Sequence, residues 1–438
     1  MTFRTTGPYA STDVSTPNIG VATSGAGVGE ELHRLVTELY PICRSLTGDG
    51  VRATLGRIAE FVPLDLREVP TGTQVFDWTI PREWNVRDAY VKDASGRRVI
   101  DFRSSNLHLV GYSTPVHARM PLADLQQHLF TIPEHPDWIP YRTSYYREDW
   151  GFCLSHNTLL GLEDGRLVYG ESYLAGESAD EVLISTHVCH PSLANDNLSG
   201  IAVAAFLARE LSEAPRRLSY RFLFVPGTIG AIAWLSMNQA VASRIAHGLV
   251  LTGVGDGGHV TYKRSRRGNA DVDRAAEHVL LHSGDEHDVV DFSPYGYDER
   301  QYCSPGFDLP VGCFMRTPWG RYPEYHTSAD GLDFVRPESL ADSLAKVRTV
   351  LSVLDGNATY VNLSPFGEPQ LGRRGLYRAA GGRKDESVSE LAMLWVLNLS
   401  DSRHSLLDIA ERSGLEFGVL RTAADALRAV GLLEQASA

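Results

Sequence analysis

The sequence lacks the features of a secreted or membrane-embedded chain. It has five cysteines, an odd number, and no two of them form a CxxC pair. No apolar run is long enough to span a bilayer, and the N-terminus has no basic segment followed by an apolar one. Scattered cysteines suit reduced thiols better than a disulfide framework. We therefore expect a cytoplasmic protein.

The sequence is also short of positive charge. Its 41 Lys and Arg residues stand against 54 Asp and Glu residues, which gives a formal net charge of −13. A broad surface for nucleic acid or anionic lipid needs the opposite sign. We therefore expect a small-molecule or short-peptide substrate, no nucleic-acid partner and no membrane partner. A homo-oligomer stays open.

The length of 438 residues predicts more than one domain. Residues 1–27 are rich in Thr, Ser, Gly and Pro, which is typical of a disordered tail. The rest is predicted to divide into an α/β domain (28–69 and 174–370), an inserted β-rich domain (70–173) and a winged-helix domain (378–438).

Strands and helices alternate in the second half of the α/β domain. Apolar, β-branched runs predict strands over 182–187, 219–226 and 248–254, and helical periodicity predicts helices over 198–213 and 229–243. This order favours a parallel sheet with helices on its faces. A last long helix is predicted from Pro337 to about Leu354.

The inserted segment has a different pattern. Short alternating runs at 74–80, 87–91 and 99–102 are separated by Pro, Gly and Asp turns, which predicts a β-rich domain. The alternative is a long excursion with no core of its own.

The C-terminal segment has helix-turn-helix spacing. Helices are predicted over 390–398, 406–413 and 417–429, and Leu432 with Leu433 can begin a wing strand. The third helix offers only Arg421 and Arg428 as bases, whereas a DNA reader needs a basic face. We expect this domain to pack on the α/β domain or on a partner subunit.

Two imidazoles and two carboxylates are candidates for a metal site: His187, Asp196, Asp256 and His326. His187 ends a predicted strand, Asp196 precedes the next helix, and Asp256 follows another strand. Ligands bind at the carboxyl ends of strands in open α/β sheets, and this nitrogen and oxygen set suits zinc. The alternative is that each residue has a separate structural role, such as a helix cap at 195–197.

These residues lie in motifs that resemble the di-zinc aminopeptidase superfamily. Within it, the chain is similar to aminopeptidase-like proteins that carry an inserted β domain of unknown function and a C-terminal winged helix. The motifs are YPICRSLTGDGVR (40–52), WGFCLSH (150–156), THVCHPSLANDNLSG (186–200), TYKRSRRG (261–268), DERQYCSPGF (298–307) and RTPWGRYPEYHTSAD (316–330). The resemblance implies a three-layer αβα fold, with zinc held by His187, a bridging-type Asp196, and Asp256 or His326.

The chain departs from that family at one decisive place. Classical members carry two adjacent glutamates at the end of the strand that follows the first helix. One glutamate is the general base, and the other is a ligand to the second zinc. Here Gly227 and Thr228 stand at those positions. The departure implies one zinc ion per chain and a different base. Glu299 and Glu324 are candidate substitutes, either can be an ion-paired carboxylate instead, and substrate assistance is a third route.

Other residues have candidate roles near the site. Asp298 aligns with an aspartate that orients groups in related hydrolases and glutaminyl cyclases, and Tyr302 can line the pocket or donate to an oxyanion. His190 is a reserve ligand, and Asp330 is a candidate hydrogen-bond partner of His326. The basic run predicts substrate-binding side chains that would hold an anionic group, namely Arg264, Arg266 and Arg267.

The favoured function is a zinc-dependent, aminopeptidase-like hydrolase that acts on an amide bond of a small, anionic, amino-acid-like molecule. Two alternatives stay open. One is a catalytically degenerate binding or scaffold protein, and the other is zinc-dependent acyl transfer or cyclisation.

Overall fold

The computed structural model describes residues 25–436 except 94, 117, 119, 146, 154–160, 164 and 377–383. Most of the predicted tail, residues 1–24, lies outside this range, and helix α1 already begins at Gly25. The helices are α1 (Gly25–Leu39), α2 (Asp49–Ile58), α3 (Leu122–Gln126), α4 (Gly200–Glu213), α5 (Ile229–Met237), α6 (Gln239–Ala242), α7 (Asp271–Ser283), α8 (Glu299–Tyr302), α9 (Pro337–Gly356), α10 (Lys384–Leu399), α11 (Leu406–Ser413) and α12 (Phe417–Ala429). Within the described ranges, no helix has the length and apolar character needed to cross a bilayer.

The strands form one large sheet and several small ones. They are β1 (Asp65–Pro70), β2 (Gln74–Val75), β3 (Trp78–Thr79), β4 (Glu83–Asn85), β5 (Tyr90–Lys92), β6 (Arg98–Asp101), β7 (Leu129–Phe130), β8 (Phe152–Cys153), β9 (Gly161–Glu163), β10 (Arg166–Leu174), β11 (Glu181–His187), β12 (Ser219–Val225), β13 (Ile245–Leu251), β14 (Val260–Lys263), β15 (His287–Val290), β16 (Val311–Met315), β17 (Thr359–Asn362), β18 (Asp401–Ser405) and β19 (Leu433–Gln435).

The large sheet has eight strands in the order β1-β10-β12-β11-β13-β16-β14-β15. Its centre, β12-β11-β13-β16, is parallel, as the alternating strands and helices predicted. The sheet as a whole is mixed, because β10 pairs antiparallel with both β1 and β12, and β14 pairs antiparallel with β16.

Helices cover both faces of this sheet. Side chains of α1, α4, α7 and α9 form one buried cluster on the first face, and α5 belongs to a second cluster on the opposite face. In β11, Val182 and Ile184 point to the first cluster and Leu183 to the second. A strand buried on both faces needs a continuous apolar run, which explains the Val-Leu-Ile sequence.

Within the described residues of the inserted segment, the strands are short and form no large sheet of their own. Its strands form two-stranded pairs, β2-β3, β4-β9, β5-β6 and β7-β8, while β10 belongs to the main sheet. Many of its buried side chains, including Val75, Trp84 and Leu109, share one cluster with α5, while Leu107 and Tyr141 belong to a small separate cluster. Much of the buried apolar surface in the described part of the segment therefore lies against the α/β domain.

The C-terminal unit packs directly on the α/β domain. Strand β17, which lies upstream of the predicted boundary at 378, pairs with β18 and β19 and so belongs to the winged-helix sheet. Arg274 of α7 forms ion pairs with Asp408 and Glu411 of α11. His278 of α7 accepts the backbone N–H of Phe417 at 3.0 Å. On α12 itself, Asp425 pairs with both predicted bases, Arg421 and Arg428.

Candidate metal centre and pocket

Three of the predicted ligands meet at the carboxyl edge of the sheet. His187 ends β11, Asp196 lies in a π turn over Ala194–Ser199, and His326 lies in a loop. The two oxygens of Asp196 contact different imidazoles, with Oδ1 2.9 Å from His187 Nε2 and Oδ2 3.0 Å from His326 Nε2. The Asp196 side chain is fully buried.

A third imidazole completes the cluster. His190 Nε2 lies 4.0 Å from Asp196 Oδ2, and His187, His190 and Asp196 each offer a ligand atom within 4.8 Å of the others. Burial lowers the pKa of His190 to about 3, which keeps its imidazole neutral. Burial alone would raise the pKa of Asp196, but the surrounding imidazoles outweigh that effect and hold its pKa well below its usual value. Imidazole nitrogens around a carboxylate are a donor set that zinc takes in proteins, so these residues fit a zinc ion.

The structure does not bring Asp256 to this cluster. Its Oδ1 accepts hydrogen bonds from Gly258 N and Thr317 Oγ1, and its Oδ2 accepts from Asn195 Nδ2 and Thr317 N. The carboxylate therefore anchors the segment before Asp196, and we remove Asp256 from the candidate ligands.

Asp330 also differs from its predicted role. It accepts the backbone N–H groups of Asn195 at 2.6 Å and Asp196 at 3.0 Å, whereas His326 was its predicted partner. Burial raises the pKa of Asp330 to about 7. Asp256 and Asp330 thus hold the same short segment from two sides, which fixes where the Asp196 side chain points.

A small pocket of about 240 Å³ opens beside the cluster. Its walls include three of the imidazoles, Gly227 and Thr228, Asp298, and several aromatic rings. Typical ligand pockets measure about 300–1,000 Å³, so this one suits a small group and not an extended chain.

Asp298 is the acidic side chain in the lining of this pocket. It is 1% exposed, and neither of its oxygens has a hydrogen-bond partner in the described part of the chain. Burial raises the pKa of Asp298 to about 6. A Cβ added to Gly227 would lie 3.4 and 3.5 Å from the two Asp298 oxygens, so this carboxyl lies next to the position where the resemblance implies a glutamate.

The other predicted catalytic residues lie away from the pocket lining. Glu299 is fully buried, and its carboxylate lies 2.8 Å from Lys263 Nζ. This is the ion pair that was the alternative to a role as base. Tyr302 is buried beneath the sheet, where its hydroxyl lies 2.9 Å from Ser185 Oγ. Glu324 is half-buried, and its backbone carbonyl accepts hydrogen bonds from Thr327.

The basic run makes ion pairs of its own and does not line the pocket. Arg264 pairs with Glu277 and Asp291, while Arg266 and Arg267 both pair with Asp308. Because their charges are balanced locally, these arginines do not supply the predicted anion-binding group.

Sequence reasoning missed two residues that shape the site. Tyr141 comes from the inserted segment, and its ring lies 5.1 Å from that of His190 and 5.0 Å from that of His326. Arg44, in the first quoted motif, is 1% exposed and donates through Nε to the His190 carbonyl at 2.9 Å. Arg44 lies in a motif that resembles the family, so the sequence indicated its surroundings. No periodic pattern in the sequence distinguished Tyr141 from its neighbours.

Comparison with known proteins decides the family. A model described as a domain of unknown function, DUF4910, matches residues 33–357, which is more than half of the chain. The chain belongs to the DUF4910 family. A second model, winged helix-turn-helix, matches residues 358–435, a range that includes β17.

Two comparisons with Clostridium acetobutylicum cover nearly the whole DUF4910 chain. One relative, named for polysaccharide biosynthesis and an aminopeptidase-like domain, is 50% identical over 419 residues, 93% of this chain and 96% of its own. A crystal structure of a protein from the same organism, described as a peptidase, superposes with a TM-score of 0.89 at 48% identity and covers 94% of this chain and 97% of its own.

A similar fold is also found at much lower sequence identity. BSAP, a zinc aminopeptidase from Bacillus subtilis, superposes with a TM-score of 0.52 at 12% identity and covers 74% of this chain and 94% of its own. That identity shows the fold alone. Together the comparisons confirm the predicted resemblance to the zinc aminopeptidases, the α/β fold and the C-terminal winged helix.

Proposed function

We propose that this DUF4910 protein is a zinc-dependent hydrolase that cleaves an amide bond in a small, amino-acid-like substrate. The observation that carries the proposal is Asp196, whose two oxygens each contact a different imidazole beside a small pocket. The aminopeptidase-like fold supports the reaction class. The name of the Clostridium relative supports a substrate from polysaccharide assembly.

The cluster residues have complementary parts in this proposal. His187, Asp196 and His326 would hold the zinc, with His190 as a further neutral nitrogen. Zinc held by these residues would supply Lewis-acid chemistry to the substrate carbonyl and to a water molecule. One ion is proposed, because Gly227 and Thr228 replace the pair of glutamates and Asp256 is engaged elsewhere.

Asp298 is the proposed general base. In this role its carboxylate takes a proton from the attacking water and passes it to the leaving amine, while a C–O bond forms and the C–N bond breaks. Its buried, unpartnered oxygens next to Gly227 support the assignment. A general base works best with a pKa near the working pH, and burial raises the pKa of Asp298 in that direction, to about 6.

Metal analysis tests the ligand set. Purified protein is expected to contain about one zinc per chain, and Asp196→Asn or His187→Ala is expected to lose it, because each ligand is needed for tight binding. His259→Ala is the matched control, since this surface imidazole pairs with Asp288 away from the cluster. Full zinc retention in Asp196→Asn would contradict the site.

Kinetics on a panel of small amides tests the base. Asp298→Asn keeps the shape of the side chain and removes the proton acceptor, so kcat is expected to fall about 10²- to 10⁴-fold with zinc retained. Glu324→Gln is the control and is expected to leave kcat within about twofold. A zinc-loaded wild type that turns over no amide would favour the scaffold alternative. Products without incorporated water would favour acyl transfer.

A further inference from the structure

Two aromatic side chains form an exposed surface at the mouth of the pocket. Tyr295 is 61% exposed and Trp319 is 39% exposed, and both line the pocket. Their ring centroids lie 4.6 Å apart with the planes tilted by 55°. Contiguous apolar surface exposed at a pocket is where ligands bind, so this ring pair is a candidate binding surface. We call this pair the aromatic mouth.

The Tyr295 side of the aromatic mouth is held by a buried ion pair. Lys263 Nζ donates to the Tyr295 carbonyl at 2.9 Å and pairs with Glu299, whose side chain is fully buried. Gly296 lets the loop come close to this pair, because a Cβ there would overlap a Glu299 oxygen and lie 2.8 Å from Lys263 Nζ. The loop under Tyr295 is therefore fixed by packing, which favours a preformed surface over a loop that orders on binding.

The residues that line the pocket limit the kinds of ligand that the aromatic mouth can bind. Among the described residues, no Lys or Arg lines the pocket, so it has no cationic side chain that could pair with an anionic group of a ligand. It offers aromatic faces at the mouth, the Thr228 hydroxyl, and the Asp298 carboxylate deeper in. Aromatic faces attract the weakly positive C–H groups of a pyranose, while its hydroxyl rim stays in water.

We propose that the leaving group of the substrate is an amino-sugar ring, and that this ring stacks on the aromatic mouth. The proposal rests on the proposed amide hydrolysis. The acyl group fits the small pocket of about 240 Å³ next to the cluster, and the ring lies outside it. The substrate class is therefore an amino sugar whose amine carries a small acyl or aminoacyl group. Water adds to the carbonyl carbon, the C–N bond breaks, and a free acid and a free amino sugar leave.

Binding measurements test the sugar ring independently of turnover. N-glycylglucosamine and N-glycylcyclohexylamine share the acyl group and differ in the ring, and calorimetry on zinc-loaded Asp298→Asn gives their affinities without cleavage. The sugar amide is expected to bind more tightly. Trp319→Ala is expected to weaken its binding about tenfold, equivalent to about 1.4 kcal/mol, whereas Trp319→Phe keeps most of the affinity.

Phe366→Ala is the matched control, because Phe366 is a fully exposed aromatic residue that does not line the pocket. It is expected to leave both affinities unchanged. Equal binding of the two amides, or tighter binding of the cyclohexyl compound, would overturn the proposal that the leaving group is an amino sugar and would favour an apolar group. No effect of Trp319→Ala on the sugar amide would overturn the aromatic mouth. Sugar-specific binding without turnover in the wild type would support the mouth and contradict the hydrolysis.

Discussion

The carboxylate of Asp298 lies against the empty side of Gly227. A Cβ at position 227 would stand 3.4 and 3.5 Å from its two oxygens and 2.9 Å from the Cβ of His187. The space that a glutamate would enter is therefore bounded by an acid and a candidate ligand. Two carboxylates placed this closely repel each other in a buried site. The acid group beside the imidazoles is therefore carried by Asp298, and the glycine at position 227 leaves room for it.

This relationship predicts that Gly227→Glu alone does not create a better enzyme. The new Cβ crowds His187, and the new carboxylate faces Asp298, so zinc content, thermal stability and amide hydrolysis are all expected to fall. Adding Asp298→Ala to Gly227→Glu is expected to recover zinc binding and part of the activity. Zinc analysis, thermal unfolding and kinetics on the four proteins of the cycle measure the coupling. Additive effects of the two changes would contradict the shared space.

Glu299 offers a separate prediction, because it was a candidate base and is found in a buried ion pair with Lys263. Glu299→Gln leaves the lysine charge buried and unpaired, so we expect a loss of about 3–5 kcal/mol in the free energy of unfolding. Urea denaturation measures this loss. At a temperature where the variant is folded, kcat on a simple amide is expected to change far less than in Asp298→Asn. A loss of kcat as large as that of Asp298→Asn, in a folded variant, would return Glu299 to the candidate bases.

Arg44 is expected to position His190. Its guanidinium is buried and donates to the carbonyls of His190 at 2.9 Å and Leu39 at 2.6 Å. Burial lowers the pKa of Arg44 to about 10. Arg44→Lys keeps the charge but cannot span both carbonyls, and an unmade buried hydrogen bond costs about 1–3 kcal/mol. Zinc competition with a chelator and urea denaturation are expected to show weaker zinc binding and lower stability.

The control for Arg44 is Arg34→Lys, which changes an exposed arginine in α1. It is expected to alter the free energy of unfolding by less than about 0.5 kcal/mol and to leave zinc affinity unchanged. Equal zinc affinity in Arg44→Lys and Arg34→Lys would remove the proposed link between Arg44 and the cluster.

The contact between the winged helix and α7 is expected to depend on pH. His278 accepts the Phe417 N–H, which requires a neutral ring nitrogen. Burial, and then the neighbouring His282, lowers the pKa of His278 to about 4, below its ordinary 6.5. The unfolded chain therefore takes up this proton first, so the stability from His278 is present above pH 6.5 and is lost as the pH falls towards 4.

Thermal unfolding at pH 7.5 and 5.5 measures this effect. The glutamine of His278→Gln can accept the same N–H without titrating, so the variant is expected to lose less stability than the wild type over this range. The same pH dependence in both proteins would show that other groups dominate.

Local sequence patterns accounted for the regular elements but not for their partners. The third winged-helix helix was predicted over 417–429 and is found as Phe417–Ala429, because its apolar periodicity matches one buried face. Strand β17 lies upstream of the predicted boundary at 378 and pairs with β18 and β19, because a strand of four residues does not by its sequence specify which sheet it joins. Alternation predicted short strands in the inserted segment, but an alternating pattern does not show that their side chains pack on α5.

The sequence by itself determined the α/β order and the end of β11 at His187, since these depend on neighbours along the chain. Only the tertiary structure decided that Asp196 meets His326 across 130 positions, and that Asp256 is engaged with Asn195. Strand ends that are distant in sequence share one edge of the sheet, but hydrogen-bond competition at that edge decides which carboxylate is left free to face the imidazoles.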